Sequence, residues 1–106
     1  MFASNQAPWT HGEGRAPVTQ ARVQIGNRLG LHARAAAKLV QLAGTFASEV
    51  TLEKDGLSVN AKSVMGVLLL CGAKGTWLTV QAVGEDSEAA VHAICALVED
   101  RFGEPE

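Results

Sequence analysis

The sequence predicts an α+β fold, a two-layer open-faced sandwich with three helices on one face of a four-stranded, mainly antiparallel sheet. Four short segments contain β-branched residues or alternate polar with apolar side chains, which is typical of half-buried strands. Three other segments carry apolar residues at helical spacing. Asp55-Gly56 joins two of the strand segments and favours a tight hairpin turn. The resulting order is βαββαβα, which predicts helices packed against a single sheet.

The first half of the chain contains one strand, one helix and the hairpin. Residues 18–25 alternate in polarity, so we expect a strand with one apolar face there. An Ala-rich run with apolar residues at helical spacing predicts a helix over residues 33–44, which Gly44 ends. Residues 48–54 and 57–62 are the two strands of the hairpin, and we expect them to pair antiparallel.

The second half adds a short helix, a strand and a longer helix. Ser63 is a favourable N-cap residue, so a helix is expected from Ser63 to about Leu70. A strand follows over residues 76–82. Asp86 or Ser87 caps a final helix, which the apolar pattern extends to just before Gly103. The apolar side of that helix is formed by Val91, Ile94, Leu97, Val98 and Phe102.

The composition is that of one soluble domain. Its 106 residues are 47% hydrophobic and 19% charged, which suits a folded chain with one modest core. Residues 1–17 lack any strand or helix period and predict a flexible N-terminal extension, so the expected domain spans residues 18–106. The extension lacks the parts of a secretory signal, and no run approaches the roughly 20 apolar residues of a membrane span. We therefore expect a cytoplasmic protein.

Charge and cysteine content argue against several kinds of ligand. The formal net charge is -2 and the basic residues are scattered, so we expect neither nucleic acid nor membrane as a partner. Cys71 and Cys95 form no Cys-x-x-Cys pair, so we expect two packed, reduced thiols, with a disulfide between them as a minor alternative. His92 and Cys95 are close in sequence, but two ligands are too few for a metal site. No metal or cofactor is expected.

The segment Gly30-Leu31-His32-Ala33-Arg34, between the first strand and the first helix, suggests a specific chemistry. The first turn of a helix leaves N–H groups unpaired and favours an anion. A neutral imidazole is a nucleophile, and the phosphoramidate that it forms is reactive enough to be passed on. Arg34 suits phosphate oxygens, and Gly30 permits the tight turn that exposes the imidazole. The residues alone leave two interpretations open, because a lone histidine beside a helix start is more often only a cap.

Two motifs in order resemble a known family. The segment from Gly30 to Ala36 is similar to the active-site motif of HPr, the histidine phosphocarrier of the sugar phosphotransferase system. Downstream, the segment from Ala61 to Val67 resembles the regulatory-serine motif of that family. The similarity runs from about Val18 to Phe102. On these motifs the chain is identified as a member of the HPr family.

The resemblance implies a role for each matching residue. His32 would accept a phosphoryl group from Enzyme I and pass it to IIA proteins or domains, while Arg34 would stabilise that group. Ser63 would be a regulatory phosphorylation site for HPr kinase/phosphorylase. The chain would be a monomeric carrier that is covalently modified between enzymes, and not itself an enzyme. The family usually has proline after the arginine, whereas Ala35 leaves an N–H free in the first helical turn. We expect transfer chemistry to survive this change.

The short helix after Ser63 has more apolar residues than it can bury. We expect Val64, Met65 and Leu68 to belong to a partner-docking surface near His32, since methionine adapts to several partners. On composition alone, Ser63 is equally well explained as an unmodified N-cap.

A second function also stays open. The domain could belong to the nitrogen branch of the phosphotransferase system, or it could transfer nothing and act as a regulatory module that docks through phosphorylated Ser63. The presence of His32 favours the carrier, because a purely regulatory relative would not need it.

Overall fold

A computed structural model describes residues 16–106, so most of the expected N-terminal extension lies outside the described residues. The elements are β1 (Val18–Gln24), α1 (Ala33–Ala43), β2 (Glu49–Lys54), β3 (Leu57–Asn60), α2 (Val64–Leu69), β4 (Trp77–Val83) and α3 (Ser87–Glu99). A 3₁₀ turn over Arg101–Gly103 follows α3. The order of strands and helices is the βαββαβα order that the sequence predicts.

The four strands form one antiparallel sheet in the order β1-β4-β2-β3. The hairpin turn between β2 and β3 is the expected one, because Asp55 and Gly56 have φ angles of 51° and 85°. Positive φ at both central residues is what a two-residue hairpin turn of type I′ requires. Pro17 is already tied to the sheet, since its carbonyl oxygen accepts a hydrogen bond of 2.9 Å from the N–H of Gly84.

One face of the sheet is buried under the helices. Burial alternates along β2 and β4, so the residues of one face enter the core while those of the other face meet solvent. α3 packs on β1 and β4, and α1 packs against both α2 and α3. The core side chains of β2, β4 and the helices include Val50, Leu52, Leu78, Val80, Leu39, Val67, Ile94 and Val98. The predicted open-faced sandwich is therefore confirmed.

The final helix is shorter than the sequence predicts. α3 ends at Glu99, and Arg101 and Phe102 have φ angles of 57° and 56°, which a right-handed helix does not allow. Phe102 is fully buried, as its apolar spacing predicts, but it enters the core from the turn and not from the helix. The apolar spacing predicts which residues are buried, and here burial continues although the backbone has left the right-handed helical conformation.

The two cysteines are free thiols with different surroundings. Cys71 is exposed, so the expectation of a packed thiol is wrong there; the residue lies in a left-handed conformation (φ 52°) just after α2. Cys95 is partly buried, and this burial raises the pKa of its thiol.

Two features are absent from the described residues 16–106. No helix in this range has the length and apolar character needed to cross a bilayer. Nor are three His, Cys, Asp or Glu side chains of this range grouped so that they could hold a metal ion.

Candidate functional site

A tight turn before α1 places His32 at the surface. Gly30 has a φ of 68°, and a Cβ at this position would lie 2.3 Å from the carbonyl oxygen of Gly72, so only glycine fits. The N–H of Leu31 donates to the same carbonyl oxygen at 2.8 Å, and the Leu31 side chain is buried. The chain is thus fixed to the core one residue before His32.

His32 is the N-cap residue of α1. Its backbone is extended, and Nδ1 of its ring accepts a hydrogen bond of 3.3 Å from the backbone N–H of Arg34. Within the described part of the chain, the backbone N–H groups of Ala33 and Ala35 have no hydrogen-bond partner. These are the unpaired amides that the start of a helix provides. A group attached to Nδ1 would lie beside these donors and at the positive end of the helix dipole.

The other ring nitrogen faces a carboxylate that the sequence analysis did not single out. Nε2 of His32 lies 2.5 Å from Oε2 of Glu104, and the two side chains are only 28% and 13% exposed. Nδ2 of the fully buried Asn27 donates to Oε1 of Glu104 at 3.0 Å. The hydrogen bond from His32, and after it the one from Asn27, lowers the pKa of Glu104 below its ordinary value. Glu104 is therefore an ionised and oriented acceptor.

The left-handed turn after α3 brings Glu104 to the histidine. The carbonyl oxygen of Phe102 accepts a hydrogen bond of 2.7 Å from Nζ of Lys38 on α1, which ties the turn to that helix. The N–H of Glu104 then donates to the carbonyl oxygen of Arg101 at 2.9 Å. We call residues 104–106, which follow this turn, the C-terminal tail.

An open cleft beside His32 is lined by the C-terminal tail and by Arg28 and Arg34. Arg28 is held by Glu106, since its Nε lies 2.9 Å from the Glu106 carboxylate and its N–H donates to the Glu106 carbonyl oxygen at 2.9 Å. Arg34 is exposed, and its guanidinium forms no hydrogen bond or ion pair with residues 16–106. Among residues 16–106, Arg34 thus offers the cleft a guanidinium without a partner, which could bind an anion at His32.

The second predicted site, Ser63, is the N-cap residue of α2. Its Oγ accepts a hydrogen bond of 3.1 Å from the N–H of Gly66, and the side chain is half-buried. The expected N-cap geometry is therefore present.

The predicted docking residues of α2 divide into exposed and packed ones. Met65 is 73% exposed and Val64 is 39% exposed. Leu68, expected at the surface, is instead partly buried against the core, while Leu69 is 65% exposed. The helical period explains this difference. Met65 and Leu69 are four residues apart and therefore share the outer face of the helix, whereas Leu68 lies closer to the inner face, which carries the buried Val67.

Two residues of the site, Glu104 and Asn27, were missed by the sequence analysis. Nothing in the sequence near Glu104 indicates a contact with His32, which is 72 positions away. Asn27 had a local signal, since it lies in the loop that precedes the motif, but asparagine is common in such loops.

Comparison with known proteins relates most of the chain to a family of phosphocarriers. Residues 19–100 match the family described as the PTS HPr component phosphorylation site. The chain is 48% identical to phosphocarrier protein HPr of Cupriavidus necator, over 82% of this chain and 98% of that protein. It is 45% identical to phosphocarrier protein NPr of Shewanella violacea, over 80% of this chain and 93% of the relative. It is also 45% identical to the HPr-like protein Crh of Bacillus subtilis, over 78% of this chain and 98% of that protein.

Solved structures agree with this relationship. HPr-C-His from Thermoanaerobacter tengcongensis superposes with a TM-score of 0.80 at 42% identity, covering 83% of this chain and 99% of that one. An HPr dimer from the same organism superposes with a TM-score of 0.66 at 45% identity, covering 77% of this chain and 94% of that one. Since the family match spans both the His32 and the Ser63 segments, the chain belongs to the HPr family of phosphocarriers of the phosphotransferase system.

Proposed function

We propose that His32 accepts a phosphoryl group on Nδ1 from Enzyme I and passes it to IIA proteins, so that the chain is a carrier and not itself an enzyme. The observation that carries this proposal is the difference between the two ring nitrogens. Nε2 faces the carboxylate of Glu104, which only accepts hydrogen bonds, whereas Nδ1 faces the N–H of Arg34, which only donates. The hydrogen-bond network therefore assigns the proton to Nε2 and the lone pair to Nδ1.

In the proposed step, the lone pair of Nδ1 attacks the phosphorus atom of the donor. An N–P bond forms at His32 while the bond between phosphorus and the leaving group of the donor breaks. The unpaired N–H groups at the start of α1 and the exposed guanidinium of Arg34 would donate hydrogen bonds to the phosphoryl oxygens. Ala35 adds one N–H that proline would lack. A nucleophile of the acceptor then attacks the phosphorus atom, and the N–P bond breaks.

Partner docking requires an accessible surface on α2 as well as an accessible ring. Val64, Met65 and Leu69 are the exposed apolar residues of this helix, and α2 packs against α1, which carries the histidine. We assign docking of Enzyme I and IIA proteins to these residues, with Leu69 in place of the partly buried Leu68. Their flexible or branched side chains suit a surface that several partners share.

Ser63 is the proposed regulatory site for HPr kinase/phosphorylase. A phosphate on its hydroxyl would add a charge of about -1.5 to -2 directly before the exposed Val64 and Met65. Enzyme I would then have to dock an apolar surface with a new anion at its edge, so charging of His32 would slow.

Incubation with phosphoenolpyruvate and Enzyme I tests the carrier function. We expect one acid-labile, base-stable phosphoryl adduct on the wild type and none on His32→Ala, because a phosphoramidate has this pattern of stability. The matched control is His92→Ala, which removes an exposed histidine of α3 and should leave the adduct intact. An adduct that survives in His32→Ala, or its absence from the wild type, would contradict the proposal.

The branch of the phosphotransferase system needs a separate experiment, because relatives with the names HPr and NPr are about equally similar to the chain. We propose the sugar branch first, in a cytoplasmic and monomeric protein. Charging rates with Enzyme I of the sugar branch and with its nitrogen-branch counterpart should favour the former. Faster charging by the counterpart would reassign the branch, and charging by neither would support the regulatory module that docks through Ser63.

A further inference from the structure

We propose that Glu104 is a positioning residue for phosphoryl transfer, which keeps one proton on Nε2 of His32 through the whole transfer cycle. In the free protein, the proton on Nε2 keeps Nδ1 unprotonated, so that Nδ1 is the nucleophile. After phosphorylation of Nδ1, the same proton makes the ring a good leaving group. The inference rests on the proposed function, since it concerns the same histidine.

The contact between Glu104 and His32 is built into the fold and is not a chance pair at the surface. Glu104 is only 13% exposed, and its second oxygen accepts a hydrogen bond from Asn27, which is fully buried. Nδ2 of Asn27 also donates to the carbonyl oxygen of Gly30 at 2.9 Å. Asn27 therefore joins the C-terminal tail to the turn that sets His32 in place. A carboxylate held in this way, largely shielded from water, accepts a strong charge-assisted hydrogen bond.

Two contacts from different parts of the chain favour the same tautomer. The N–H of Arg34 points at Nδ1 and would oppose a proton there, while the Glu104 carboxylate attracts a proton to Nε2. A carboxylate fixes the orientation and tautomer of an imidazole in the same way where histidine acts as a catalytic base. The difference here is that the nitrogen opposite the carboxylate is the nucleophile itself.

Phosphorylation increases the importance of this proton. With Nδ1 bonded to phosphorus and Nε2 protonated, the ring is cationic and leaves as a neutral imidazole when the N–P bond breaks. Without the proton on Nε2, the leaving group would be an imidazolide anion, which is a much poorer one. On transfer, the N–P electron pair returns to Nδ1 and the proton stays on Nε2. The ring thus begins and ends the cycle in the same form.

Several charged groups face the ring from the elements around it. Arg34 of α1 and Arg28 of the preceding loop line the same cleft as the ring, and their charges oppose a positive charge on it. Lys38 of α1 acts on Glu104, whose pKa it helps to lower. Glu106 pairs with Arg28 and offsets that charge. Glu104 is the one carboxylate among residues 16–106 in hydrogen-bond contact with the ring, so its removal should act directly on the Nε2 proton.

The first measurement uses the unphosphorylated protein and needs no partner. In ¹H–¹⁵N spectra of the imidazole, we expect a protected, hydrogen-bonded Nε2–H proton in the wild type and a rapidly exchanging one in Glu104→Ala. Glu53→Ala is the control, since Glu53 lies on β2 on the sheet face away from the helices. A protected Nε2–H proton in Glu104→Ala would overturn the inference.

The second measurement follows hydrolysis of the phosphorylated protein against pH. For Glu104→Gln, which keeps the shape of the side chain without its charge, we expect the profile to move to lower pH by about half a unit to one unit. Above the wild-type midpoint, hydrolysis should then be about three- to tenfold slower, with no change in acid. Glu104→Asp should restore part of the difference. A purely structural role would change the rate equally at every pH, and coincident profiles would overturn the inference.

Failure of the proposed function can be told apart from failure of this inference. If Enzyme I does not charge the wild type, the carrier function fails, but phosphoramidate can still phosphorylate the ring chemically. The same comparison of pH profiles, with the phosphorylated nitrogen identified by NMR, then decides the role of Glu104.

Discussion

The starts of α1 and α2 have the same local geometry but different surroundings. Nδ1 of His32 accepts the N–H of Arg34 at 3.3 Å, and Oγ of Ser63 accepts the N–H of Gly66 at 3.1 Å, so each helix is capped by the side chain of its own N-cap residue. Beyond the cap the two differ. His32 also contacts the carboxylate of Glu104 beside a charged cleft, whereas α2 continues from Ser63 into exposed apolar residues.

This difference shows that a capped helix start does not by itself define a chemical site. The cap of α2 is completed within three residues of Ser63, and a local sequence signal is enough to predict it. The chemistry proposed for His32 depends on a carboxylate 72 positions away, which would orient the ring and select its nucleophilic nitrogen. The same backbone geometry therefore accompanies a proposed nucleophile at His32 and a proposed site of regulatory modification at Ser63.

The largest expected effect concerns Gly30, which lies two residues before the N-cap residue of α1. Gly30→Ala should lower the free energy of unfolding by about 2–4 kcal/mol, because a left-handed residue gains a Cβ that collides with Gly72. Gly66→Ala is the matched variant, since its Cβ would meet no atom closer than 3.4 Å and lies in a helix. It should be neutral or stabilise by up to about 1 kcal/mol. Urea unfolding followed by circular dichroism checks both, and equal costs would contradict this account.

Substitutions of Ser63 should have a smaller effect and separate capping from charge. Ser63→Ala should destabilise the protein by about 1 kcal/mol, because the N–H of Gly66 loses its acceptor. Ser63→Asp keeps an acceptor at the N-cap, so its stability should stay near that of the wild type. Charging of His32 by Enzyme I should slow only in the Asp variant. Slower charging in the Ala variant alone would assign Ser63 a purely structural role.

The third helix start gives the smallest expected effect and a contrast to the first two. Asp86 is the N-cap residue of α3, yet its carboxylate accepts hydrogen bonds from the N–H groups of Ala47 and Ser48 and from the Ser48 hydroxyl. These hydrogen bonds lower the pKa of Asp86, and the one from the Ser48 hydroxyl has the largest effect. Because the pKa is lower in the folded state, the carboxylate adds stability at pH values above the pKa of the unfolded state, about 3.9. That stability is lost as the pH falls through the pKa of the folded state.

Thermal unfolding of Asp86→Asn, measured as a function of pH, tests whether the stability contributed by the Asp86 carboxylate decreases in acid. The variant should melt below the wild type at neutral pH, and the gap should narrow in acid as Asp86 of the wild type takes up its proton. Asp55→Asn, in the exposed hairpin turn, serves as the control and should follow the wild type. A gap that stays constant with pH would show that the carboxylate charge contributes nothing.

The sequence was sufficient wherever local chemistry decides the structure. Asp55-Gly56 specified the hairpin because its φ angles are accessible to few other dipeptides, and Ser63 specified the start of α2. The position of His32 between strand and helix also followed from local pattern. Glu104 could not be predicted, because its contact depends on the left-handed turn at Arg101 and Phe102. The apolar spacing does not reveal that turn, since it continues through Phe102.

The position of the last residues has a practical consequence for labelled versions of the protein. Because Glu106 is held by Arg28 at the rim of the cleft, any affinity tag or fluorescent reporter fused after it would emerge next to His32. Such a fusion would crowd the approach of a partner and loosen the tail that carries Glu104. Conversely, a small environment-sensitive dye attached there would be well placed to report the proposed gain and loss of a phosphoryl group at His32.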